Sequence, residues 1–248
     1  MISSVKKAMD ILNLLAENGE NPVKLKTIAE KTAINKATCV HILDTLESGH
    51  YVEKVSRLDG YRISFGTFYL TRFGGYRHKI SDVAHPVLLW LNKKTHKSTG
   101  MQVISNGKRV CIDYIAGDMP FSKNGENIII NGLYNASSGR LLLSFLNDFE
   151  IEETVLKYGL PKKEDWDIKD IDDMKRKLSI IRKNKFCETV FTIDGTPHCG
   201  YSMPIIVNGK CVAAVGIAGY SKATAEEQNY LKKAVTEIGR RLKFGGDK

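Results

Sequence analysis

Leu25-Lys26-Thr27-Ile28-Ala29-Glu30-Lys31-Thr32, then Ala33-Ile34-Asn35, then Lys36 through Glu47 hold the pattern that decides the fold. Leu25, Ile28 and Ala29 recur at i, i+3, i+4 and make one apolar stripe on a short helix. Cys39, Ile42, Leu43 and Leu46 make a second at i, i+3, i+4, i+7. The link Ala33-Ile34-Asn35 is too short for anything but two helices packed across each other. That is the helix-turn-helix plan, whose second helix offers its outer face to the major groove of DNA. With the stripe turned inward, Lys36, Ala37, Thr38, Val40, His41, Asp44 and Thr45 are left facing out. Asn35 is placed to cap the helix through its side-chain oxygen. A helical hairpin in an all-α core shares this periodicity, so the flanking residues must decide.

They favour the DNA reader. Gly49 suits a helix C-terminus, and His50–Val55 and Tyr61–Ser64 are β-prone runs around Ser56-Arg57-Leu58-Asp59-Gly60. Asp59-Gly60 between such runs marks a hairpin. A hairpin directly after a helix-turn-helix is a wing, with Lys54, Arg57 and Arg62 placed to meet phosphate. Upstream, Val5, Ala8, Met9, Leu12 and Leu15 predict a leading helix that closes the small core, with Ser4 as its cap.

Composition narrows the class. The chain has 248 residues, 42% of them hydrophobic, enough for a small domain and a larger one. No apolar run approaches the roughly 20 residues that cross a bilayer, and the start lacks the plan of a secretion signal. Five cysteines without a C-x-x-C pair point to reduced thiols and a cytoplasmic protein, with no metal or cofactor. The net charge of +9 is concentrated in Lys54, Arg57, Arg62, Arg72, Arg77 and Lys79, beside the groove-reading helix, where it would neutralise phosphate. Nothing matches G-x-S-x-G, a phosphate-cradling glycine loop or H-E-x-x-H. Gly132–Gly139 has the small residues of a nucleophile elbow at the wrong spacing. Cys199 and His198 are strand neighbours that point to opposite faces. No catalytic residue is expected.

The order and spacing of Ser4–Leu12, Leu25–Ala29, Lys36–Leu46, Gly49–Glu53 and Gly60-Tyr61-Arg62 resemble the DNA-binding half of the IclR family of transcriptional regulators. Two departures stand out. The family often has Ser at the position of Ala37 and Arg at that of His41. The reading face therefore lacks a hydroxyl and a guanidinium. On this basis Lys36, Ala37, Thr38, Val40, His41, Thr45, Arg57 and Arg62 are the expected contacts to a double-stranded operator.

Residues 65–80 come next. Phe65, Phe68, Tyr69, Phe73 and Tyr76 recur at helical spacing, with Gly74-Gly75 placed to end or loosen the helix. The resemblance implies a linker helix packed on its counterpart, making these aromatics the seam of a homodimer; further pairing through the effector domains to a tetramer is left open at this point. Packing within one chain fits the spacing equally well.

From Ser81 the pattern is α+β. Helices are predicted near Ser81–Thr95, Ser138–Leu146, Ile151–Tyr158, Ile171–Lys185 and Thr224–Phe244, with an exposed loop over Lys162–Asp173. Strands are predicted at Thr99–Ser105, Arg109–Ala116, His198–Val207 and Lys210–Tyr220, with a short one near Ile128–Ile130. The run before Tyr220 is almost wholly apolar and so central. Ala84–Leu88, Asn135–Arg140, Ser202–Ile205 and Val212–Gly219 resemble the IclR effector-binding domain, which is akin to GAF and PAS sensors. The resemblance implies a small-molecule effector between the sheet and the helix opening at Ser137-Ser138-Gly139. Relatives that take small oxoacids carry serines where Gly216 and Ala218 stand, an acid near Thr189–Thr192, and a Cys that aligns with Cys199 or Gly200. The expected wall is Ser137, Ser138, Cys199, Gly200, Met203, Gly216 and Ala218. It would be roomier and less polar than in those relatives, suited to a carboxylic acid with an apolar or larger body.

The expected architecture is α+β: a winged helix-turn-helix (residues 1–64), a linker helix (65–80) and a GAF/PAS-like effector domain of antiparallel sheet and flanking helices (81–248). The expected function is a ligand-responsive transcription factor acting as a repressor. An activator, or a DNA-binding scaffold whose second domain only oligomerises, remains open at this point.

Overall fold

The computed structural model describes residues 2–56, 58–71, 76–105, 107–118, 133–193 and 196–244. They form two compact units, Met1–His78 and Lys79–Lys248.

The first unit runs α1 (Ser3–Glu17), α2 (Leu25–Thr32), α3 (Lys36–Ser48), β1 (Val52–Ser56), β2 (Gly60–Ile63) and α4 (Gly66–Thr71). Its core joins Ile28 of α2 and Cys39, Leu43 and Leu46 of α3 to Ile11, Leu14 and Leu15 of α1, with Val52 and Tyr61 from the hairpin. The inward face of α1 differs from expectation. Val5 and Met9 are 47% and 58% exposed, and the buried stripe is Ile11-Leu14-Leu15. Apolar residues surround much of this helix, so periodicity offers overlapping stripes, and contact with α2 and α3 selects one. Ser4 lies inside the helix, and the capping position, Ile2, has no side-chain cap.

Asn35 does cap α3, its Oδ1 accepting from the Thr38 backbone N–H at 2.8 Å. The exit from α3 also differs from expectation. Gly49 stays near the right-handed region, and His50 takes the left-handed one (φ 62°). The Tyr51 N–H then closes onto the Leu46 carbonyl at 2.9 Å, a six-to-one closure at the helix end.

The wing is anchored more firmly than a hairpin alone would be. Val23 forms a bridge with Tyr61, with N–H···O bonds of 2.7 and 3.0 Å in the two directions. This third short partner has no sequence signal of its own. It comes so close that a Cβ on Gly60 (φ 104°) would lie 2.2 Å from the Val23 carbonyl oxygen.

The second unit contains β3 (Ser98–Ser105), β4 (Lys108–Ile115), α6 (Ser137–Leu143), α7 (Asp148–Tyr158), α8 (Ile171–Asn184), β5 (Cys187–Ile193), β6 (Thr196–Val207), β7 (Lys210–Gly219) and α9 (Ala225–Phe244). The boundary between the units falls inside α5 (Tyr76–Thr95). This helix starts five residues before the predicted Ser81, so Pro86 sits in its interior rather than its first turns. The strands form one antiparallel sheet in the order β4-β3-β7-β6-β5, with β7 central as its apolar run implies. One face carries α5 and α9, packed through Ala84, Leu88, Leu91, Leu231 and Ile238 onto Met101, Tyr201, Ala213, Val215 and Ile217. The other meets α6 through Leu141, Leu142, Cys187 and Ala214.

Edge strand β5 was missed, because its polar residues break the alternation. The 162–170 segment is the mostly exposed loop its charges suggest, but it is anchored. Trp166 and Ile168 pack against the Leu143, Ile151, Met174 and Leu178 cluster, the Asp173 carboxyl is buried, and Asp170 caps α8. The predicted strand at Ile128–Ile130 lies outside the described residues. No helix among the described residues is long and apolar enough to cross a membrane. None of their His, Cys, Asp and Glu side chains cluster as a metal site.

Candidate functional sites: a recognition helix and a polar layer under the sheet

The first site is built on α3. Asn35 orders its first turn, and the core stripe fixes its rotation. Lys36, Ala37, His41 and Thr45 are exposed, with Thr38 and Val40 half-buried on the shoulders. The Thr45 hydroxyl donates to the His41 carbonyl at 2.8 Å, leaving its oxygen as an acceptor only. In the wing, exposed Lys54 lies over the Tyr61 ring, 5.6 Å from its centroid. Arg62 is different. Its Nε bonds Glu53 at 2.5 Å, and its Nη1 stands 3.5 Å from Glu20. A guanidinium held between two carboxylates brings no net positive charge to a phosphate, so Arg62 serves the wing's internal structure and leaves the expected contact set. Arg57 lies outside the described residues.

The aromatic series 65–80 is only partly described. Phe65 is 84% exposed. Phe73 lies outside the described residues, as do the side chains of Phe68, Tyr69 and Tyr76.

The second site lies between α6 and the sheet. Strand alternation decides its membership. Ala214 faces α6 while Ala213, Val215 and Ile217 face α5 and α9. Hence Gly216 and Ala218 face α6. Their register partners Ser202 and Gly200 do so too. Cys199 and Met203 fall on the other face, opposite Gly219 and Val215, and Met203 packs with the α5–α9 core. The expected wall therefore loses Cys199 and Met203 and keeps Ser137, Ser138, Gly200, Gly216 and Ala218. Cys199 and Gly200 are consecutive on a strand and cannot share a face.

The layer is also more polar than expected. Ser137 and Ser202 share a hydroxyl hydrogen bond of 2.7 Å. The Ser202 hydroxyl fills the place over Gly216, where a Cβ would stand 2.5 Å from it. On Gly200 a Cβ would come within 2.9 Å of the Ser137 hydroxyl and 3.2 Å of that of Thr189. From the far side, Arg109 Nη1 donates to Ser138 Oγ at 2.8 Å. Burial works against the Arg109 charge, lowering its pKa, with Cys111 nearby acting the other way. Among the described residues, three buried side-chain atoms have no hydrogen-bond partner: Gln102 Oε1, Arg109 Nε and Thr189 Oγ1. Such groups are costly when unmade and mark an unfilled role. Gln102, Arg109, Thr189 and Ser202 were missed from sequence. For Gln102 and Ser202 the one signal was a lone polar residue between apolar neighbours, Met101 and Val103 for the first and Tyr201 and Met203 for the second.

Gly139 holds this arrangement together. A Cβ there would lie 2.2 Å from the Leu133 carbonyl oxygen, so α6 can start where it does only with glycine. Arg140 braces the same turn, its Nε donating to the Tyr134 carbonyl at 2.6 Å and its guanidinium lying over the Trp166 ring.

A winged helix with an outward recognition helix, followed in one chain by a sheet between two helical layers, defines a DNA-binding transcriptional regulator. Residues 4–56 match the IclR helix-turn-helix domain. Among solved structures, the IclR protein of Thermotoga maritima is 26% identical, with a TM-score of 0.65 over 98% of this chain and 99% of that one. Residues 4–56 are thus an IclR-type helix-turn-helix domain, and over nearly its whole length the chain is similar to a solved IclR regulator. Two more distant structures share its fold. An IclR homolog from Microbacterium hydrocarbonoxydans, complexed with 4-hydroxybenzoate, has 17% identity, a TM-score of 0.74 and coverage of 97% and 99%. HmgR of Pseudomonas aeruginosa has 16% identity, a TM-score of 0.68 and coverage of 98% and 100%. No curated protein matches the sequence as a relative.

Proposed function

We propose that the protein is a ligand-responsive repressor that binds its operator through Lys36, Ala37, Thr38, Val40, His41 and Thr45, with Lys54 and Arg57 on phosphate, and answers to a small organic acid in the second unit. The observation that carries the ligand response is the set of buried polar atoms without partners in the layer between α6 and the sheet. A scaffold that only oligomerised would gain nothing from leaving them unmet. The Microbacterium relative, complexed with 4-hydroxybenzoate, makes an organic acid the natural class to try first. Ser137, Ser138, Gly200, Gly216 and Ala218 surround the site. Repression needs only occupancy of the operator, whereas activation needs a further surface for polymerase.

One recognition helix reads too few base pairs to select a genomic site, so the working form is a homodimer through the 65–80 aromatics, with pairing to a tetramer as a further step. Exposed Phe65 supports that seam. The absence of any catalytic motif in the sequence and the family's regulatory role favour a protein that is no enzyme and lives in the cytoplasm.

The test is to select an operator from random duplexes with the full-length protein and titrate that complex with organic acids. Release of the operator by an acid that also raises the melting temperature of the protein is the expected result. Tight operator binding that no acid, neutral metabolite or sugar alters would refute ligand response.

A further inference from the structure

Resting on the sensor reading above, we propose that Arg109 and Gln102 form the charge-reading end of the effector site and select a carboxylate that also carries a hydroxyl or N–H group.

Arg109 pairs with Ile104 across the β3–β4 ladder, and Ile104 packs beneath α6. The Arg109 side chain therefore enters the same layer as Ser137 and Ser138. It is 8% exposed. Its Nη1 is spent on the neutral Ser138 hydroxyl, and among the described residues its Nε has no partner. Among the described residues no carboxylate lies within ion-pair distance of it. The other buried cation among the described residues of this unit, Lys97, and the half-buried Arg140 are compensated. Lys97 stands 3.7 Å from Glu227 and bonds Ser221 twice, at 3.0 and 3.1 Å. Arg140 is held by the Tyr134 and Asp165 carbonyls and by Trp166. A hydroxyl cannot balance a guanidinium in a low-dielectric layer, so Arg109 carries a charge that wants an anion. A free guanidinium edge offers the side-by-side donors that a carboxylate accepts.

Gln102 supplies the second requirement. The Cys111 thiol donates to the Asp113 carbonyl at 3.3 Å, so its sulfur is left to accept from Gln102 Nε2 at 3.8 Å. That fixes the amide with Oε1 unpartnered, and Oε1 can only accept. Gln102 pairs with Cys111 and Ile104 with Arg109, so Gln102 and Arg109 are diagonal neighbours on one face. Such neighbours stand about 7–8 Å apart, a span that a small hydroxylated acid bridges. The anion goes to Arg109 and Ser138, and the donor goes to Gln102.

Calorimetry and thermal unfolding of the full-length protein test this with four probes: lactate, benzoate, 4-hydroxybenzoate and neutral 4-hydroxybenzamide. Wild type should bind at least one of the acids. Arg109→Met should weaken that acid by about 10- to 100-fold and leave the amide unchanged. Arg109→Lys should fall between, keeping the charge and losing the fork. Gln102→Leu should weaken 4-hydroxybenzoate more than benzoate. Without ligand, Arg109→Met should melt no lower than wild type, because it replaces an unpaired buried charge by an apolar chain. Equal acid affinity in wild type and Arg109→Met, no binding of any acid by wild type, or a sharply lowered melting temperature in ligand-free Arg109→Met would each overturn the assignment. The amide separates it from the sensor reading: if 4-hydroxybenzamide binds both proteins alike and alters operator affinity, the domain senses ligands but Arg109 does not read their charge.

Discussion

Removing the Thr38 side chain separates reading DNA from folding, and the structure gives both magnitudes. The cap of α3 uses the Thr38 backbone N–H with the Asn35 side chain as acceptor, at 2.8 Å. Thr38→Ala keeps that bond, exchanges a β-branched residue for the best helix former, and buries nothing new. Stability should stay within about 0.5 kcal/mol of wild type. If the side chain meets a base edge, affinity for the selected operator should fall by about 1–3 kcal/mol, roughly 5- to 150-fold, with specificity relaxed at one position. Asn35→Ala reverses the pattern. It removes the cap and should cost about 1 kcal/mol of stability, within a range of roughly 0.5–2. Because the folded state still dominates after such a loss, its effect on operator affinity should be small. Fluorescence anisotropy on the operator and on a scrambled duplex, beside thermal melts, reads both quantities. The reasoning fails if Thr38→Ala binds like wild type, or if both variants lose affinity only in proportion to stability.

Further expectations concern other parts of the molecule. Gly139→Ala forces a Cβ to 2.2 Å from the Leu133 carbonyl oxygen, so it should cost at least the 1–3 kcal/mol usual for overpacking. Its melting should show this, and unchanged melting would mean that α6 starts elsewhere. Burial raises the Cys187 thiol to about 11 and the Cys211 thiol to about 12 from an ordinary 9.0. In the unfolded chain both lose protons first, so their stabilisation is full below pH 9 and fades as pH rises through the folded values. Urea melts from pH 8 to 11 should show a falling midpoint that Cys187→Ala with Cys211→Ala flattens, and native protein at pH 8 should leave both thiols unmodified by a disulfide reagent. Phe65→Glu with Phe68→Glu should give folded monomers with weak operator binding; sedimentation that still shows a dimer would place the seam elsewhere.

Most of the first unit was legible in the sequence because its information is local. The stripes Leu25-Ile28-Ala29 and Cys39-Ile42-Leu43-Leu46, the turn between them and the Asn35 cap each lie within a few residues of one another. Helix period and capping chemistry act over that range. The turn signals Asn106-Gly107-Lys108 and Asn208-Gly209 likewise marked the hairpins of β3 with β4 and of β6 with β7, and an apolar run marked β7 as central. What sequence left open depended on contacts distant along the chain. The inward stripe of α1 was settled by α2 and α3, the bridge of Val23 to Tyr61 by the wing folding back, and the neutralisation of Arg62 by Glu20 and Glu53. The layer between α6 and the sheet shows the same division. The α6 serines and the β7 glycine were marked by local resemblance. Sequence could not say that Ser202 would sit on Ser137, or that Arg109, twenty-nine residues before Ser138, would reach it unpaired. A strand's period says which residues share a face; which helix covers that face, and which buried charge meets no partner there, is decided only when the strands assemble.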